Sequence, residues 1–372
     1  MRIAFYMPFK PMGHSNPSGD LITGGELFEY LNKKGNSVTT ISRLRTRWIY
    51  WKPWLWPYIL LEIFRILSSL RKDQVDIWVT YHSYYKAPDP IGPVCSRLLG
   101  IPYVIFQGIY STKRRRRVKT LPGFILNRMA LLSADIVFTN KKKDEVNLKR
   151  IIPRNRLCYV KPGIDPQSFV FDERARREMR SEWKVGDDPV ILTAAMFRPG
   201  VKTEGLMLVI KSCGQLLNEG MRFWLVIAGD GSERRFLEDL AQRYLKGRVI
   251  FLGRIARKKM YRYYSGGDIF VFPGIRESLG IVYLEAQSCG LPVVAFNEWG
   301  AWEAVVNRKT GLLSNPSDLQ RLKDNIALII KNREIRAKMG LAAQRHVWKN
   351  HNTMKNYAVI ETLLSDMAVE RG

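Results

Sequence analysis

The chain has 372 residues, of which 46% are apolar and 11% aromatic, and its formal net charge is +26. This length and composition exclude a disordered or fibrous chain and favour a globular protein of two domains, since single cores rarely grow beyond about 250–300 residues. Residues 1–165 hold 28 basic against 11 acidic residues, which indicates an anionic partner: nucleic acid, an acidic membrane or an acidic substrate. The same charge can also serve solubility alone.

The first half of the chain alternates apolar strands with helical patterns, which predicts a parallel sheet. The predicted strands are Ile3–Met7, Ser37–Ser42, Val75–Tyr81, Tyr103–Phe106, Ala134–Thr139 and Leu157–Val160. A helix is expected to start at Gly24-Gly25 and to end near Gly35. These paired glycines either let the backbone approach a ligand closely or belong to a plain strand-to-helix connection.

Two segments, one aromatic and one basic, interrupt this pattern. Residues 48–61 hold four tryptophans, two tyrosines, two prolines and one charged residue, and they are too short and broken for a membrane span of about twenty residues. With Arg45 and Arg47 nearby, they fit either a segment in the headgroup layer of a membrane or a helix packed inside its own domain.

Residues 113–117, K-R-R-R-R, predict a basic loop that could touch phospholipid, an acidic acceptor or RNA. The usual signatures of RNA-binding modules are missing, so nucleic acid is not the expected partner.

The second half repeats the alternation of strands and helices. The charge-dense segment from Pro166 to Asp188 is interpreted as an interdomain linker and helix. The strands predicted after it are Val190–Ala195, Phe223–Ala228, Val249–Leu252, Asp268–Phe272 and Pro292–Phe296. The predicted fold class is α/β, with two Rossmann-like doubly wound domains that face each other across a cleft.

The stretch from Pro273 to Phe296 carries the most informative chemistry. It is a loop, then a helical pattern that ends at Gly290, then a strand; Glu277 lies just before the helix and Glu285 about two turns inside it. Backbone N–H groups at the helix start, after Gly280, suit a phosphate, and carboxylates accept hydrogen bonds from sugar hydroxyls. This combination predicts a nucleotide-sugar pocket, the alternative being an ordinary strand–helix–strand unit with two surface glutamates.

Two cations are expected beside this pocket. Arg198 and Lys202 follow the first strand of the second half, and this topology places them at the same sheet edge as Glu277. Fixed cations there stabilise the charge that a diphosphate leaving group gains. The alternative is that Arg198 and Lys202 lie on an ordinary solvent-exposed loop and bind no ligand.

Together these motifs resemble the retaining glycosyltransferases of family 4, the glycosyl transferases group 1, which have the two-Rossmann GT-B fold. The resemblance covers nearly the whole chain. It rests on Gly24-Gly25, V-K-P-G-I-D (160–165), Arg198, Lys202, L-V-I-A-G-D-G (225–231) and E-S-L-G-I-V-Y-L-E (277–285). The last block, followed by C-G-L-P-V-V, is the specific part.

The resemblance implies a hexosyltransferase-like enzyme whose donor is a nucleotide-diphosphate sugar, with UDP favoured over GDP, and whose product keeps the anomeric configuration. It implies an acceptor-side domain of residues 1–168, a nucleotide-sugar-binding domain of residues 169–350, and a helix of about 351–372 that packs back on the first domain. The residues that it implies as catalytic are Glu277, Arg198 and Lys202. Those that it implies in donor binding are Gly24, Gly25, Gln107, Ile255, Leu279, Gly280 and Glu285.

Each of these donor residues has an implied role. Glu277 binds hydroxyls of the sugar, and Glu285 binds the ribose. The diphosphate is bound by Arg198, Lys202 and the backbone at Leu279–Gly280, while Gly24 or Gly25 lets the first domain close on it and Ile255 lies near the base.

One position departs from the family pattern. Many relatives have a histidine near the sugar after the strand that here ends in P-Y-V-I-F-Q-G, whereas this chain has Gln107. An amide hydrogen-bonds a hydroxyl but does not titrate, so the identity of the sugar stays open. No Asp-x-Asp motif follows a strand in the cleft, and neither a metal nor another cofactor is expected.

The acceptor is inferred from charge. A basic, aromatic first domain predicts a membrane-resident or anionic saccharide acceptor, such as a lipid-linked saccharide, a glycolipid or a lipopolysaccharide core, in glycolipid or cell-surface polysaccharide synthesis. We expect a cytoplasmic protein, peripheral on the inner face of the cell membrane. The residues expected to dock it on anionic lipid are Arg45, Arg47, Trp51, Trp54, Trp56, Arg114, Arg115, Arg116 and Arg117. The alternatives are a GT-B sugar-nucleotide epimerase and a basic lipid- or nucleic-acid-binding protein without turnover.

Overall fold

The computed structural model describes residues 1–14, 19–70, 75–298 and 300–370. Its contacts divide the chain into unit 1, Met1–Lys161 with Met354–Gly372, and unit 2, Pro162–Thr353. The sequence placed this boundary after residue 168, whereas the structure has it after Lys161.

Each unit is built on one parallel six-stranded sheet. The strands are β1 Arg2–Tyr6, β2 Ser37–Ser42, β3 Ile77–Tyr81, β4 Tyr103–Phe106, β5 Ile136–Thr139, β6 Leu157–Tyr159, β7 Val190–Ala194, β8 Trp224–Ala228, β9 Val249–Gly253, β10 Ile269–Val271, β11 Val293–Phe296 and β12 Gly311–Ser314. The helices are α1 Gly19–Lys33, α2 Trp56–Ser69, α3 Gly92–Leu99, α4 Leu121–Ser133, α5 Lys142–Leu148, α6 Glu173–Trp183, α7 Val201–Asn218, α8 Arg234–Leu245, α9 Met260–Gly266, α10 Ile281–Ser288, α11 Gly300–Ala304, α12 Leu319–Lys331, α13 Arg333–Asn350 and α14 Thr353–Glu370.

The strand orders are those of doubly wound sheets. Unit 1 has the order β2-β1-β3-β4-β5-β6 and unit 2 the order β12-β11-β10-β7-β8-β9. Strands β3, β7 and β10 are buried along their whole length, as expected where helices cover both faces of a parallel sheet. The predicted α/β class with two Rossmann-like sheets is confirmed; β12 was not predicted.

Both sheets reverse their strand order next to the first strand of the unit. The reversal lies between β1 and β3 in unit 1 and between β7 and β10 in unit 2. Ligands of such sheets bind outside the carboxyl ends of the strands at this point. In unit 2 it is the loop after β7 and the loop after β10 that meet there.

The segment interpreted as an interdomain linker and helix contains that helix, α6, and is a folded part of unit 2. Asp172 caps α6, because its carboxylate accepts the backbone amides of Arg174 and Ala175 at 2.9 and 3.0 Å. Farther along α6, Arg176 and Arg180 donate to the two carboxylate oxygens of Asp268 at 2.7 and 3.0 Å. These ion pairs tie α6 to the residue that precedes β10.

The last helix completes the core of unit 1. Tyr357, Ile360 and Leu364 of α14 are buried in one apolar cluster with residues of β1, β3 and α1. The ring of Tyr30 lies 5.5 Å from that of Tyr357, and its hydroxyl donates to Glu361 at 2.9 Å. Residues from the end of the chain therefore belong to the fold of its beginning.

The paired glycines lie inside α1 and not at its start, which corrects the expectation from sequence. A Cβ atom on Gly24 would lie 2.6 Å from Met7 Cε and 2.8 Å from the ring of the buried Tyr81. A Cβ atom on Gly25 would meet nothing within 4 Å. Packing against Met7 and Tyr81 alone therefore explains why position 24 is glycine. Nothing in the structure explains why position 25 is glycine.

We predict opposite effects for two adjacent substitutions. Gly24→Ala lowers the free energy of unfolding by about 1–3 kcal/mol, because the methyl group overpacks the contact with Tyr81. Gly25→Ala raises it by about 0.5–1 kcal/mol, because alanine loses less backbone entropy in a helix. Urea unfolding of both variants tests this, and equal effects would show that the packing argument is wrong.

Candidate active site

The candidate site in unit 2 joins the loop after β7 to the loop after β10. Lys202, in the first turn of α7, donates a hydrogen bond to the Glu277 carboxylate. The two side chains are only 19% and 17% exposed, and the Lys202 ammonium lies 5.2 Å from the centre of the Phe272 ring. The structure thus brings together an acid and a cation that are 75 residues apart in the chain.

The turn that carries Glu277 is fixed by its backbone. The amide of Glu277 donates to the carbonyl of Gly274 at 2.8 Å, and its own carbonyl accepts the amide of Gly300 at 2.9 Å. Gly274 has a φ of +70°, and a Cβ atom there would lie 1.8 Å from the hydroxyl oxygen of Tyr283. This turn therefore needs glycine, and it holds Glu277 at the sheet edge independently of Lys202.

The amino end of α10 follows directly. Gly280 is the residue before the helix, with a φ of +67°, and Leu279 before it is buried. The first amides of a helix have no acceptor inside it and carry partial positive charge. Leu279 and Gly280 therefore lie where the sequence predicted a phosphate-binding backbone.

Arg198 is exposed on the loop after β7, and the loop itself is rigidly held. The amide of Phe197 donates to the carbonyl of Asp230 at 3.0 Å. A Cβ atom on Gly231 would lie 2.1 Å from the Phe197 carbonyl oxygen, so the G-D-G turn after β8 packs directly on this loop. The turn positions the loop that carries Arg198, a supporting role that the sequence did not assign to it.

Glu285 is not open to solvent. It is 4% exposed on the buried face of α10, where it accepts Arg257 Nε at 2.6 Å and the Tyr264 hydroxyl at 3.1 Å. Burial and the charge of Glu285 raise the pKa of Tyr264 well above its usual value. Arg257 and Tyr264 were not predicted from the sequence. The clue was Glu285 itself: a charged residue in an otherwise apolar helix is expected to be buried, and a buried carboxylate requires hydrogen-bond partners.

The structure also locates two other residues that the sequence predicted to bind the sugar nucleotide. Ile255 is partly buried against the core of unit 2, two residues beyond the end of β9. In unit 1, Gln107 is fully buried directly after β4, with a φ of +60° and its backbone N–H donating to the Phe138 carbonyl at 2.8 Å. Its neighbour at the end of β3, His82, is buried against the rings of Phe9 and Tyr84 at 5.4 and 4.8 Å. The roles of Ile255 and Gln107 stay predictions.

Unit 1 carries a second feature, which we call the basic aromatic surface: residues 47–64 and 113–121 with the outer faces of α3 and α4. The side chains of Trp54 and Phe64 are 65% and 73% exposed. The Trp51 indole donates to the Lys119 carbonyl at 2.9 Å, which joins the aromatic segment to the basic loop. The other exposed apolar side chains are Trp56, Tyr58, Leu60, Leu61, Val94, Leu98, Val118, Leu121, Ile125, Met129 and Leu132.

The cations of this surface fall into two groups. Arg47, Arg115, Arg116 and Arg117 are exposed. Arg45 is half-buried and donates to the Phe9 carbonyl at 3.1 Å, and the half-buried Arg114 guanidinium lies 4.4 Å from the centre of the Tyr85 ring. Arg45 and Arg114 thus already make contacts within unit 1.

None of the helices in the described residues has both the length and the apolar character that crossing a membrane requires. The same residues contain no group of three or more His, Cys, Asp or Glu side chains placed to hold a metal ion.

Solved structures define the class of fold. Sucrose-phosphate synthase from Thermosynechococcus elongatus superposes with a TM-score of 0.76 at 19% identity, over 100% of both chains. The HepE protein of Anabaena in complex with UDP superposes with a TM-score of 0.77 at 17% identity, over 98% of this chain and 100% of the other. At these identities the likeness establishes the fold alone, which is that of GT-B glycosyltransferases.

Sequence comparison points to the same class of enzyme. Residues 175–346 match the family model of the glycosyl transferases group 1, the family that the resemblance named. A GDP-mannose-dependent alpha-(1-6)-phosphatidylinositol monomannoside mannosyltransferase of Mycobacterium tuberculosis is 30% identical over 203 residues, 52% of each protein. The chain spans about half the length of the curated relatives it matches.

We predict that Arg257 stabilises unit 2 through Glu285. Arg257→Ala leaves a buried carboxylate with one partner fewer, which lowers the free energy of unfolding by about 1–3 kcal/mol. This is less than the usual cost of breaking a fully buried ion pair, because Arg257 is partly exposed. The neighbouring exposed Lys258→Ala serves as the control and changes it by less than about 0.5 kcal/mol. In urea unfolding, Arg257→Ala combined with Glu285→Gln should recover part of the loss; a purely additive double variant would contradict the pairing.

Proposed function

We propose that the chain is a retaining glycosyltransferase that moves a hexose from a nucleotide-diphosphate sugar to a membrane-associated acceptor. The observation that carries the proposal is the pairing of Glu277 with Lys202 beside the amino end of α10, with Arg198 on the adjoining loop. The family of residues 175–346 supports the same reading.

The pairing suggests how the donor is bound. A diphosphate carries more negative charge than a carboxylate and attracts Lys202 away from Glu277. Lys202 and Arg198 then neutralise the diphosphate together with the first amides of α10, and the Glu277 carboxylate becomes free to accept hydroxyl groups of the sugar. In this proposal the ion pair holds the empty site in the geometry that the donor needs.

The transfer step follows from the same groups. The bond between the anomeric carbon and the phosphate oxygen breaks, and its electron pair stays on the diphosphate. The acceptor hydroxyl oxygen forms the new bond to the anomeric carbon, and its proton passes to the departing phosphate. Lys202, Arg198 and the helix amides stabilise the charge that develops on the leaving group. Retention through attack on the same face is carried over from the family resemblance.

The ribose is assigned to Glu285 and Arg257 together. Glu285 is nearly covered, whereas the Arg257 side chain is 30% exposed, so a ligand reaches Arg257 first. Each carboxylate oxygen has two lone pairs and accepts further hydrogen bonds beyond those from Arg257 and Tyr264. This adds Arg257 to the donor residues that the sequence proposed.

The acceptor and the location rest on the basic aromatic surface. Exposed tryptophan, leucine and phenylalanine side chains next to Arg115, Arg116 and Arg117 suit the interface of an anionic membrane. The mycobacterial relative is named for a phosphatidylinositol monomannoside acceptor. We propose a lipid-linked saccharide, glycolipid or lipopolysaccharide core as the acceptor, used at the inner face of the cell membrane. An epimerase or a non-catalytic lipid- or nucleic-acid-binding protein is the alternative, which activity separates.

We predict that nucleotide-diphosphate sugars stabilise the protein. A ligand at about 100 times its Kd adds about 2.7 kcal/mol to the free energy of unfolding, which a thermal-shift panel of UDP-, GDP- and ADP-sugars detects. The sequence favoured UDP, whereas the mycobacterial relative is GDP-mannose-dependent, so the panel also decides the base. Glu277→Gln should lower turnover by about 10²-fold or more. The control is Glu182→Gln, exposed on α6, which should match the wild type; no shift with any sugar nucleotide would overturn the proposal.

We predict a separate loss of membrane binding from unit 1. Replacing Arg115, Arg116 and Arg117 by Gln should weaken co-sedimentation with anionic vesicles by about a hundredfold, at about 1 kcal/mol per basic residue. Trp54→Ser with Phe64→Ser should weaken it as well, whereas Phe236→Ser with Trp348→Ser, two exposed aromatics of unit 2, should not. Equal binding to neutral and anionic vesicles would contradict the proposal.

A further inference from the structure

Unit 2 has a large cavity at the edge of its sheet opposite the candidate active site. The cavity has a volume of about 1360 Å³, and its walls include Pro189, Asp268 and Leu291. These residues come just before β7, β10 and β11, at the amino ends of the strands, whereas Glu277 follows the carboxyl end of β10. A ligand here lies a strand length or more away from the donor and touches none of the residues proposed to bind it.

The wall of this cavity carries an excess of positive charge. Its cations are Arg176, Arg177, Arg180, Lys184, Arg333 and Arg336, against the acids Glu173, Asp187 and Asp268. Two of the acids are already engaged: Asp268 accepts Arg176 and Arg180, and Glu173 lies 3.6 Å from Arg177. Lys184 and Arg333 are exposed and form no ion pair within the described residues. Positive charge therefore remains for a ligand.

Arg336 shows how strongly the cations are crowded. Its guanidinium is half-buried and donates to the carbonyls of Ile329 and Ile330 at the end of α12, at 3.1 and 2.9 Å. Burial lowers the pKa of Arg336, and the charges of Arg176, Arg333 and Arg180 lower it further against the pull of Asp268. An anion bound among these arginines offsets their mutual repulsion more fully than Asp268 alone.

The remaining walls suit an organic body as well as phosphate. Phe171 and Leu341 expose apolar surface, and Gln344 offers an amide near Gly290. Small-molecule sites combine concave apolar surface with a few polar groups, in volumes of about 300–1,000 Å³. The cavity is large enough for a ligand of nucleotide size.

We propose that this cavity is a second binding site of unit 2, for a phosphorylated small molecule that carries two or more negative charges. The concave arrangement of cations from α6 and α13 around Asp268 favours a compact ligand over an extended polyanion. The proposal is independent of the proposed transfer reaction, because the donor residues lie at the other edge of the sheet.

The test titrates inorganic triphosphate and ATP into the full chain while the donor site is kept saturated with the nucleoside diphosphate that the thermal-shift panel selects. The cavity variant is Lys184→Gln with Arg333→Gln. The matched control is Lys246→Gln with Arg243→Gln. Lys246, like Lys184, follows a helix and has a left-handed backbone conformation, and both control residues are exposed in unit 2 outside the cavity. Thermal melts of both variants establish that they fold.

We expect the cavity variant to bind triphosphate about tenfold or more weakly, as the loss of two charge-assisted contacts implies, and the control to bind within about twofold of the wild type. Hydrogen exchange on triphosphate binding should slow in residues 171–189 and 333–344, and donor-induced stabilisation should be the same in all three proteins. Three results would overturn the proposal: no triphosphate binding by the wild type, equal weakening in the control, or binding of RNA or anionic vesicles without binding of triphosphate.

Discussion

The organisation of unit 2 depends on the parallel pairing of β7 with β10, where the strand order reverses. At such a point the connections leave on opposite faces of the sheet, so that the strand ends are not covered. The loops at the carboxyl ends bring Lys202 to Glu277. The residues at the amino ends place Asp268 against the backbone amide of Val190 at 2.8 Å and against the arginines of α6. One strand pair therefore organises the chemistry at both edges of the sheet.

The strands could be predicted because most are buried on both faces and appear in the sequence as continuous apolar runs. β12 escaped notice because G-L-L-S is short and has no flanking pattern. The glycine pair in α1 was misplaced for a different reason. Glycine disfavours helices, so it indicates a boundary, whereas here the contact between Gly24 and Tyr81 outweighs that preference. Prediction from local sequence rules failed where tertiary packing determines which residue type occupies a position.

The candidate site shows the same limit. Glu277 and Lys202 could be assigned because the topology alone places their loops at one edge. The partner of Glu285 could not, since its pairing with Arg257 depends on how the turn before α9 folds over α10. The segment of residues 53–69, which includes α2, was ambiguous because apolar residues on every turn fit both a core and a membrane interface. Only the structure shows that Trp54 and Phe64 are exposed while Ile66 is buried.

The return of the chain to unit 1 also bears on its synthesis at the ribosome. Domains generally fold from the amino terminus as they emerge. Here Tyr357, Ile360 and Leu364, which complete the core around Tyr30, follow the whole of unit 2 in the chain. Unit 2 is continuous from Pro162 to Thr353, so all of its residues are translated before Met354 and the rest of α14. The core of unit 1 is therefore completed only after unit 2 has been synthesised, and its apolar surface around Tyr30 stays uncovered by α14 until then.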